Sequence, residues 1–189
     1  MRAVVLGGTF NPVHYGHLFV AEEVRATLGY DAAIFVPANQ PVHKNPAPVL
    51  DPAHRLAMLR LAVSGNERFI VDTGEIDRGG LSYSIETVSS LIPRHRIEGR
   101  PGFLIGDDLV AGFPSWKDVD VLVKIVDLIV ARRTMEGPAA LVYPHRVVAN
   151  TILPISSSEI RRRIREGGAV RYLLPDAVLD YIRGNNLYG

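Results

Sequence analysis

Two histidines near the amino terminus have the residue type and spacing of groups that bind phosphate. His14 and His17 follow the glycine pair Gly7 and Gly8 in the stretch Gly-Gly-Thr-Phe-Asn-Pro-Val-His-Tyr-Gly-His. A separation of three positions brings both rings to one side of a helix. The first amides of a helix are unpaired donors that carry a partial positive charge. The stretch therefore predicts a site that stabilises negative charge on a phosphate.

Two other interpretations of the histidine pair stay open. The rings can have structural or capping roles, or they can hold zinc, since His-x-x-His at helical spacing is able to bind a metal. The chain has no cysteine, and no carboxylate near the pair completes a ligand set. Phosphate contact is therefore the favoured prediction.

A second anion site is predicted late in the chain. Ser156 followed by Glu159 has the capping-box pattern, which predicts a helix start with unpaired amides, and Gly167 supplies the stop. Two i,i+4 ion pairs are expected on this helix, Glu159 with Arg163 and Arg162 with Glu166. Arg161 has no such partner downstream and lies within one turn of Ser156 and Ser157. We therefore predict that Arg161 binds a ligand.

Further candidate ligand residues follow a predicted central strand. Asp107 and Asp108 come directly after an apolar run that ends at Gly106. Carboxylates in this position lie where open α/β sheets bind their ligands. At most one of the two adjacent side chains is expected to reach the site, while the other caps the short helix that follows. Trp116, the only tryptophan, is either a core residue or a flat surface for an aromatic ring.

Two other segments have alternative interpretations. Residues 38–48 are rich in proline and contain the adjacent His43 and Lys44, which indicates either a substrate loop with an anion ligand or a surface loop with no task. Ser84 follows a glycine-containing turn at the expected start of a helix. It either caps this helix or offers its hydroxyl group and the helix amides to a carboxylate.

These residues are distributed over alternating strand and helix patterns. Apolar runs predict buried strands at residues 4–7, 32–37, 69–72, 102–106, 126–131 and, at the periphery, 147–153. The alternation predicts an α/β fold with one doubly wound parallel sheet, right-handed crossovers and a single domain over residues 1–189. If the first and fourth strands are neighbours, their loops form the site. The helix that begins at Asp51 or Pro52 is expected only to pack, with Arg55 off its apolar stripe.

Composition excludes several classes of protein. The chain has 189 residues, no cysteine, 21 basic and 20 acidic residues, and a net charge of +1. Disulfides and cysteine nucleophiles are therefore excluded, and no global field favours a nucleic acid or a membrane as partner. We see no signal peptide or spanning segment and expect a cytoplasmic protein. The oligomeric state is left open, a homo-oligomer included.

The glycine and histidine stretch resembles the signature loop of the nucleotidyltransferase superfamily with the HxGH motif. The whole chain resembles the bacterial nicotinate-nucleotide adenylyltransferase family. Its matching segments include Val36-Pro37-Ala38-Asn39, Ser82-Tyr83-Ser84, Gly106-Asp107-Asp108, Pro114-Ser115-Trp116, Ile155-Ser156-Ser157-Ser158-Glu159-Ile160-Arg161 and Leu173-Leu174-Pro175. The resemblance implies a Rossmann-like nucleotidyltransferase fold. It also implies transfer of the adenylyl group of ATP to nicotinate mononucleotide in NAD biosynthesis, with Mg²⁺ held mainly by the ATP phosphates.

The resemblance also implies which residues bind each substrate. The implied catalytic residues are His14, His17 and Arg161, and the implied ATP-binding residues are Gly8, Thr9, Phe10, Asp108, Arg133, Ser156 and Ser157. The residues implied to line the acceptor side are Asn39, Lys44, Ser84 and Trp116. Two positions depart from the family pattern, because Asn11 replaces the usual Asp and Ser158 replaces the usual Thr.

Two alternative functions are left open by the sequence. A related adenylyltransferase that uses phosphopantetheine or nicotinamide mononucleotide would share the phosphate machinery. A nucleotide-binding module without turnover would be expected to have lost His14, His17 or Arg161, and all three are present. The favoured hypothesis requires the glycine loop and the late serine-arginine helix to converge, with Thr9 and Arg161 on the same side of the molecule.

Overall fold

The computed structural model describes residues 1–41, 49–133 and 140–189. In these ranges the chain alternates between strands and helices almost throughout. The elements are β1 Ala3–Gly8, α1 Tyr15–Thr27, β2 Ala32–Pro37, β3 Gln40–Pro41, α2 Pro52–Val63, β4 Phe69–Val71, α3 Gly74–Arg78, β5 Leu81–Ser82, α4 Ser84–Arg94, β6 Gly102–Gly106, a 3₁₀ helix Asp107–Ser115, α5 Val119–Ile125, β7 Asp127–Ala131, β8 Arg146–Val148, α6 Ser157–Arg165 and α7 Asp176–Gly184.

Six strands form one parallel sheet in the order β4-β2-β1-β6-β7-β8. The predicted doubly wound parallel sheet is therefore confirmed. β1 and β6 are hydrogen-bonded neighbours, and the strand order reverses between them. Their loops diverge at this switch point, which leaves a crevice at the carboxyl ends of the two strands.

The alternation of side chains along each strand builds two hydrophobic layers. In β1, Val4 belongs to the core beneath α1, α2, α6 and α7, whereas Val5 belongs to the core beneath α4, α5 and the 3₁₀ helix. Successive side chains of a strand point to opposite faces, so each central strand contributes to both layers. Helices on both faces therefore fix the sheet and the loops at its carboxyl edge.

The predicted helix starts at the second and sixth helices are confirmed. Asp51 caps α2 by accepting a hydrogen bond from the amide of Ala53 at 2.7 Å. Ser156 caps α6 by accepting from the amide of Glu159 at 3.2 Å. The i,i+4 ion pairs predicted for α6 also form, and they are Glu159 with Arg163 and Arg162 with Glu166.

Two capping predictions are wrong. The residue that caps α4 is Tyr83, and Ser84 is the first residue inside the helix. Gly106 occupies the cap position of the 3₁₀ helix, so Asp107 and Asp108 lie in its first turn instead of capping it. In both cases the extended backbone ends, and the helix begins, one residue earlier than the sequence pattern predicted.

The sixth strand is shorter than the predicted 147–153. It ends at Val148. Beyond that residue, the side chain of Asn150 makes hydrogen bonds in place of backbone pairing between strands. The Asn150 side chain accepts from the Arg132 amide at 2.7 Å and donates to the Arg132 carbonyl at 2.9 Å. A side-chain amide therefore satisfies the groups that a longer strand would have paired.

Two short parallel strands occur where the sequence predicted a loop and a flexible turn. Residues 40–41 pair with residues 81–82 in a separate two-stranded sheet. Asn39 supports this pairing, because its amide donates to the Ser82 hydroxyl and its side chain donates to the Gly80 carbonyl, both at 2.9 Å. The contact spans more than forty residues of sequence, which a local pattern does not reveal. Among the helices in the described ranges, none combines the length and apolar character needed to cross a membrane.

Candidate active site

A cavity opens at the carboxyl ends of β1 and β6, where the sequence predicted the site. Many of the predicted site residues contribute to its wall. They are Gly8, Thr9, His14, His17, Ser84, Asp108, Trp116 and Arg133. The structure therefore brings residues predicted for both substrates to one cavity.

The histidine pair lines the cavity and also belongs to the cap of a helix. His14 is the cap residue of α1, and its amide donates to His17 Nδ1 at 3.3 Å. The His14 ring is almost completely buried and stacks on the His17 ring, with centroids 3.8 Å apart. The capping role is therefore present, and it leaves both rings in the cavity wall, where the phosphate-binding prediction needs them.

A zinc site at the histidine pair would need at least one more protein ligand. Within residues 1–41, 49–133 and 140–189, no three His, Asp or Glu side chains are close enough together to hold a metal ion. A protein zinc site normally has at least three such ligands. The described residues thus offer the histidine pair alone.

The glycine loop has an unusual backbone conformation that a buried ring holds in place. Phe10 has a φ of +48°, in the left-handed region, which costs about 1 kcal/mol for a residue other than glycine. Its buried ring packs edge-on against His17 at 5.1 Å and tilted against Phe35 at 6.0 Å. A Cβ at Gly8 would lie 2.9 Å from the Phe10 ring, so this approach requires glycine.

Thr9 offers a polar group to the cavity. Thr9 lines the cavity wall, and its side chain is almost fully buried. Its hydroxyl oxygen has no hydrogen-bond partner among the residues that the structure describes. A buried hydroxyl in such a position is available to a bound ligand.

The late serine-arginine helix docks directly on the glycine loop. The hydroxyl of Ser157 donates to the Pro12 carbonyl at 2.8 Å, and Arg161 Nη1 donates to the Asn11 carbonyl at 2.7 Å. Asn11 is two residues from Thr9, so Thr9 and Arg161 lie on the same side of the molecule. The glycine loop and the serine-arginine helix are therefore adjacent, and their convergence on one triphosphate stays a prediction.

The residues of α6 nevertheless lie behind the cavity wall. Ser156, Ser157 and Arg161 are absent from the described residues that line the cavity, although the adjacent Ile155 does line it. The Ser157 hydroxyl is occupied by the loop carbonyl, and Arg161 uses one further donor on the Ser158 hydroxyl at 3.1 Å. A guanidinium has five N–H donors, so Arg161 retains others for a ligand.

The structure distinguishes the two aspartates. Asp108 lines the cavity and forms an ion pair with Arg133 at 3.3 Å, while the buried Asp107 accepts from the Arg133 amide at 2.9 Å. A Cβ at Gly106 would overlap both the Asp108 carboxylate and the Arg133 side chain. Of the two aspartates, Asp108 is therefore the one that faces the cavity. Arg132 also lines the cavity, beside Arg133.

The residues predicted for the acceptor have different surroundings. Trp116 lines the cavity and also packs on Phe103 and Phe113, with ring centroids 6.2 and 5.0 Å apart, so it is both a core residue and a cavity surface. Ser84 lines the cavity from the first turn of α4. The side chain of Asn39 instead donates to the carbonyl of Gly80, the residue before β5, and Lys44 lies outside the described residues.

Three residues near the site were not identified from the sequence. Arg55, which we expected off the apolar stripe of α2, is completely buried, because backbone carbonyl groups surround its guanidinium group. Glu75 is a buried carboxylate in the cavity wall and accepts a hydrogen bond from the Thr87 hydroxyl. Tyr188 contacts the side chain of Asn11. The local sequence gave no signal for these contacts, which join distant segments.

Comparison with known protein families gives a match over most of the chain. The family model described as cytidylyltransferase-like matches residues 5–163. A chain from Borrelia garinii subsp. bavariensis named "Probable nicotinate-nucleotide adenylyltransferase" is 42% identical over 188 residues, covering 100% of this chain and 95% of its own length. A Lactiplantibacillus plantarum chain of the same name is 40% identical over 187 residues, covering 99% of this chain and 88% of its own length.

Solved structures share the fold. Plasmodium falciparum nicotinic acid mononucleotide adenylyltransferase complexed with NaAD has a TM-score of 0.79 at 18% identity, covering 100% of this chain and 98% of that chain. The same Plasmodium protein complexed with APC has a TM-score of 0.75 at 17% identity, covering 99% of this chain and 96% of that chain. At these identities the likeness supports the fold.

Proposed function

This chain belongs to the cytidylyltransferase-like family and is a nucleotidyltransferase, and we propose that it transfers the adenylyl group of ATP to nicotinate mononucleotide in NAD biosynthesis. The products are nicotinate adenine dinucleotide and pyrophosphate. Relatives named for this activity are about 40% identical over nearly the whole chain, which supports the choice of acceptor.

A single observation carries the proposal. One cavity is lined both by the glycine loop with its histidine pair and by Ser84 and Trp116. The reaction joins two nucleotides through their phosphates, so it requires two binding regions that meet at one reacting phosphorus atom. The cavity at the switch point supports the proposal, because groups suited to each region line the same wall.

The chemistry needs charge stabilisation more than proton transfer. A phosphate oxygen of nicotinate mononucleotide attacks the α-phosphorus of ATP and forms a new P–O bond. The bond between that phosphorus and the oxygen bridging to the β-phosphate breaks, and its electron pair leaves with pyrophosphate. Because the nucleophile is already an oxyanion, neither a general base nor a covalent intermediate is required.

We assign the charge-stabilising roles to groups around the glycine loop. His14, His17 and the first amides of α1 would contact the ATP phosphates, and Arg161 would act on the outer phosphates from α6. Preorganised donors of this kind stabilise charge that develops on the transferred phosphoryl group and on the leaving oxygen. Docking of α6 on the loop supports this assignment, because it keeps Arg161 beside the loop.

We also propose Mg²⁺ as a cofactor that is held mainly by the ATP phosphates. The cavity wall fits this arrangement, because His14, His17 and Arg133 offer nitrogen groups, whereas Mg²⁺ prefers oxygen ligands such as those of the ATP phosphates. Mg²⁺ usually keeps substrate phosphates and water among its ligands. When bound, the ion would neutralise charge on the phosphates.

The acceptor would lie against Trp116 and Ser84. The indole offers a flat surface to the nicotinate ring, and Ser84 offers a hydroxyl at the positive end of α4 to its carboxylate. Asn39 would act indirectly by holding the two short strands together, while Lys44 stays a prediction from the sequence. Asp108 would contact ribose, with Arg133 as its ion-pair partner.

The test is pyrophosphate release from ATP with each acceptor in turn. We expect release with nicotinate mononucleotide, and much slower release with nicotinamide mononucleotide or phosphopantetheine in parallel reactions. Mass spectrometry should detect nicotinate adenine dinucleotide in the first reaction. Faster release with another acceptor would overturn the substrate assignment, and ATP binding without release from any acceptor would identify a binding module.

Other sequence predictions stay proposals. A single domain over residues 1–189 predicts one cooperative unfolding transition in calorimetry. Sedimentation of the purified protein would determine whether it is a monomer or a homo-oligomer. The predicted cytoplasmic location and the predicted independence of nucleic acid and membranes can be examined by cell fractionation.

A further inference from the structure

Arg55 in α2 has a completely buried side chain whose hydrogen bonds connect three separate segments of the chain. Its Nε donates to the Leu50 carbonyl at 3.0 Å, Nη1 donates to the Thr9 carbonyl at 2.9 Å, and Nη2 donates to the Asn39 carbonyl at 3.0 Å. Thr9 belongs to the glycine loop, and Asn39 belongs to the segment that follows β2. The planar guanidinium group of Arg55 therefore joins the glycine loop to the segment that follows β2.

The charge of Arg55 has no direct ion-pair partner in the described residues. Burial lowers the pKa of Arg55 from its ordinary value, and the nearby Tyr188, Asp51 and Glu75 act in the opposite direction. Removal of a guanidinium from water is unfavourable unless good hydrogen bonds replace those to water. Hydrogen bonds from a charged donor are short and directional, so the three carbonyls are held in a fixed geometry.

The contact with Thr9 orients the phosphate side of the cavity. The carbonyl of Thr9 and the amide of Phe10 belong to one planar peptide unit, in which the two groups point in opposite directions. When Arg55 holds the carbonyl, the Phe10 amide is turned away from Arg55. This unit lies where the Phe10 backbone adopts its left-handed conformation, so the hydrogen bond also supports an otherwise unfavourable geometry.

The contact with Asn39 orients the acceptor side. Asn39 donates from its own amide to the Ser82 hydroxyl and from its side chain to the Gly80 carbonyl. Ser82 lines the cavity two residues before Ser84. Arg55 therefore reaches the acceptor wall through Asn39 and reaches the phosphate wall through Thr9.

We propose that Arg55 is a positioning residue that sets the distance and angle between the ATP loop and the acceptor wall. This inference rests on the proposed function, because it assigns one wall to each substrate. Arg55 does not line the cavity among the described residues, so it acts through the two backbone segments. Its loss should slow the chemical step more than it weakens the binding of either substrate.

The experiment compares Arg55→Lys and Arg55→Met with the wild type in single-turnover rapid-quench assays. We expect both variants to lower the rate at saturating ATP and nicotinate mononucleotide by about tenfold to a hundredfold, because small misplacements of reacting groups have effects of this size. The KM values should change by less than about threefold. Arg55→Lys keeps the buried charge and provides the measurement if Arg55→Met does not fold.

Arg25→Met is the matched control. Arg25 is also largely buried and donates to a backbone carbonyl, that of Tyr30 at 3.0 Å, but it lies in the last turn of α1 and is not among the described residues that line the cavity. We expect its single-turnover rate per folded molecule to equal that of the wild type. If the Arg55 variants, corrected for folded fraction by circular dichroism, also match the wild type, the positioning role is wrong. If the wild type itself does not react with nicotinate mononucleotide, the proposed function fails and the inference fails with it.

Discussion

The hydroxyl group of Tyr188 donates a hydrogen bond to the side-chain oxygen of Asn11 at 2.7 Å, across 177 positions of sequence. Asn11 belongs to the glycine loop, and its carbonyl also accepts from Arg161. Burial raises the pKa of Tyr188 well above its ordinary value, so the phenol keeps its proton and its donor role at physiological pH. An Asp or an Asn offers the same acceptor oxygen at position 11, which explains how this loop accommodates asparagine.

Tyr188→Phe should weaken both the fold and the ATP site. Loss of the donor leaves the buried Asn11 oxygen with one hydrogen bond fewer, which costs about 1 kcal/mol. We expect the Tm to fall by about 2–4 °C and kcat/KM for ATP to fall by about fivefold. Calorimetry and steady-state kinetics measure the two quantities.

Tyr181→Phe is the control for that change. Tyr181 has a comparable hydrogen bond, with His54 Nδ1 at 3.0 Å, between α7 and α2. This variant should lose a similar amount of stability while its kcat/KM for ATP stays at the wild-type value. Equal kinetic losses in both variants would show that Tyr188 has no specific effect on the loop.

His17→Ala should reduce turnover strongly. The ring lines the cavity beside His14, where we assign it to the phosphates. Removal of one donor at a charged transition state lowers kcat by on the order of 10²-fold. Pyrophosphate release measures the effect, and His145→Ala at an exposed position is the control. A kcat within about threefold of the wild type would exclude the assigned role.

Trp116→Leu should weaken the binding of the acceptor and leave the binding of ATP unchanged. Loss of a stacked aromatic contact is expected to raise the Kd of nicotinate mononucleotide by about tenfold. Trp116→Phe, which keeps a flat ring, should show a smaller change. Because Trp116 is the only tryptophan, its fluorescence in the wild type should also respond to this nucleotide. A fluorescence signal that responds to ATP alone would contradict the assignment.

Asp72 should make the stability depend on pH. Burial raises the pKa of Asp72, but hydrogen bonds from His95, the Gly74 amide and Arg94 outweigh this effect and lower it below its ordinary value of 3.8. The stabilising contribution of a carboxylate with a lowered pKa is present above its ordinary pKa. It is lost as the pH falls through the lowered value.

Asp72→Asn measures this contribution. At pH 7 we expect the variant to be less stable than the wild type by about 2 kcal/mol, and we expect the difference to shrink below about pH 4. Urea unfolding between pH 3 and 7 gives the free energies. Asp180→Asn, at an exposed position on α7, is the control and should show no difference at any pH. A gap of constant size down to pH 3 would contradict the role of the carboxylate.

The sequence predicted those parts of the fold and site that local patterns determine. The strands at residues 32–37 and 102–106 and the cap at Ser156 each depend on a short stretch of chain. A short apolar run or a capping pair has the same meaning in most contexts, so these predictions were confirmed.

Contacts between distant segments could not be predicted in this way. The position of Arg55 depends on carbonyl groups 46 and 16 residues away, and backbone carbonyls have no sequence signature. The shortening of the sixth strand depends on the side chain of Asn150 reaching Arg132. Such contacts depend on the assembled sheet, which is why the sequence did not reveal that a helix with an ordinary apolar stripe contains a completely buried cation, Arg55.

The glycine loop is synthesised well before the residues that hold it in its folded conformation. A ribosome makes this loop before the residues that support it, which follow as Arg55, then Ser157 and Arg161, and finally Tyr188. At ordinary elongation rates the nascent loop waits about 10–35 s for the last of them. During that interval the glycine loop lacks the hydrogen bond from Tyr188 that it has in the folded protein. The mature shape of the loop is therefore reached late in synthesis, although the loop itself is made before every residue that holds it.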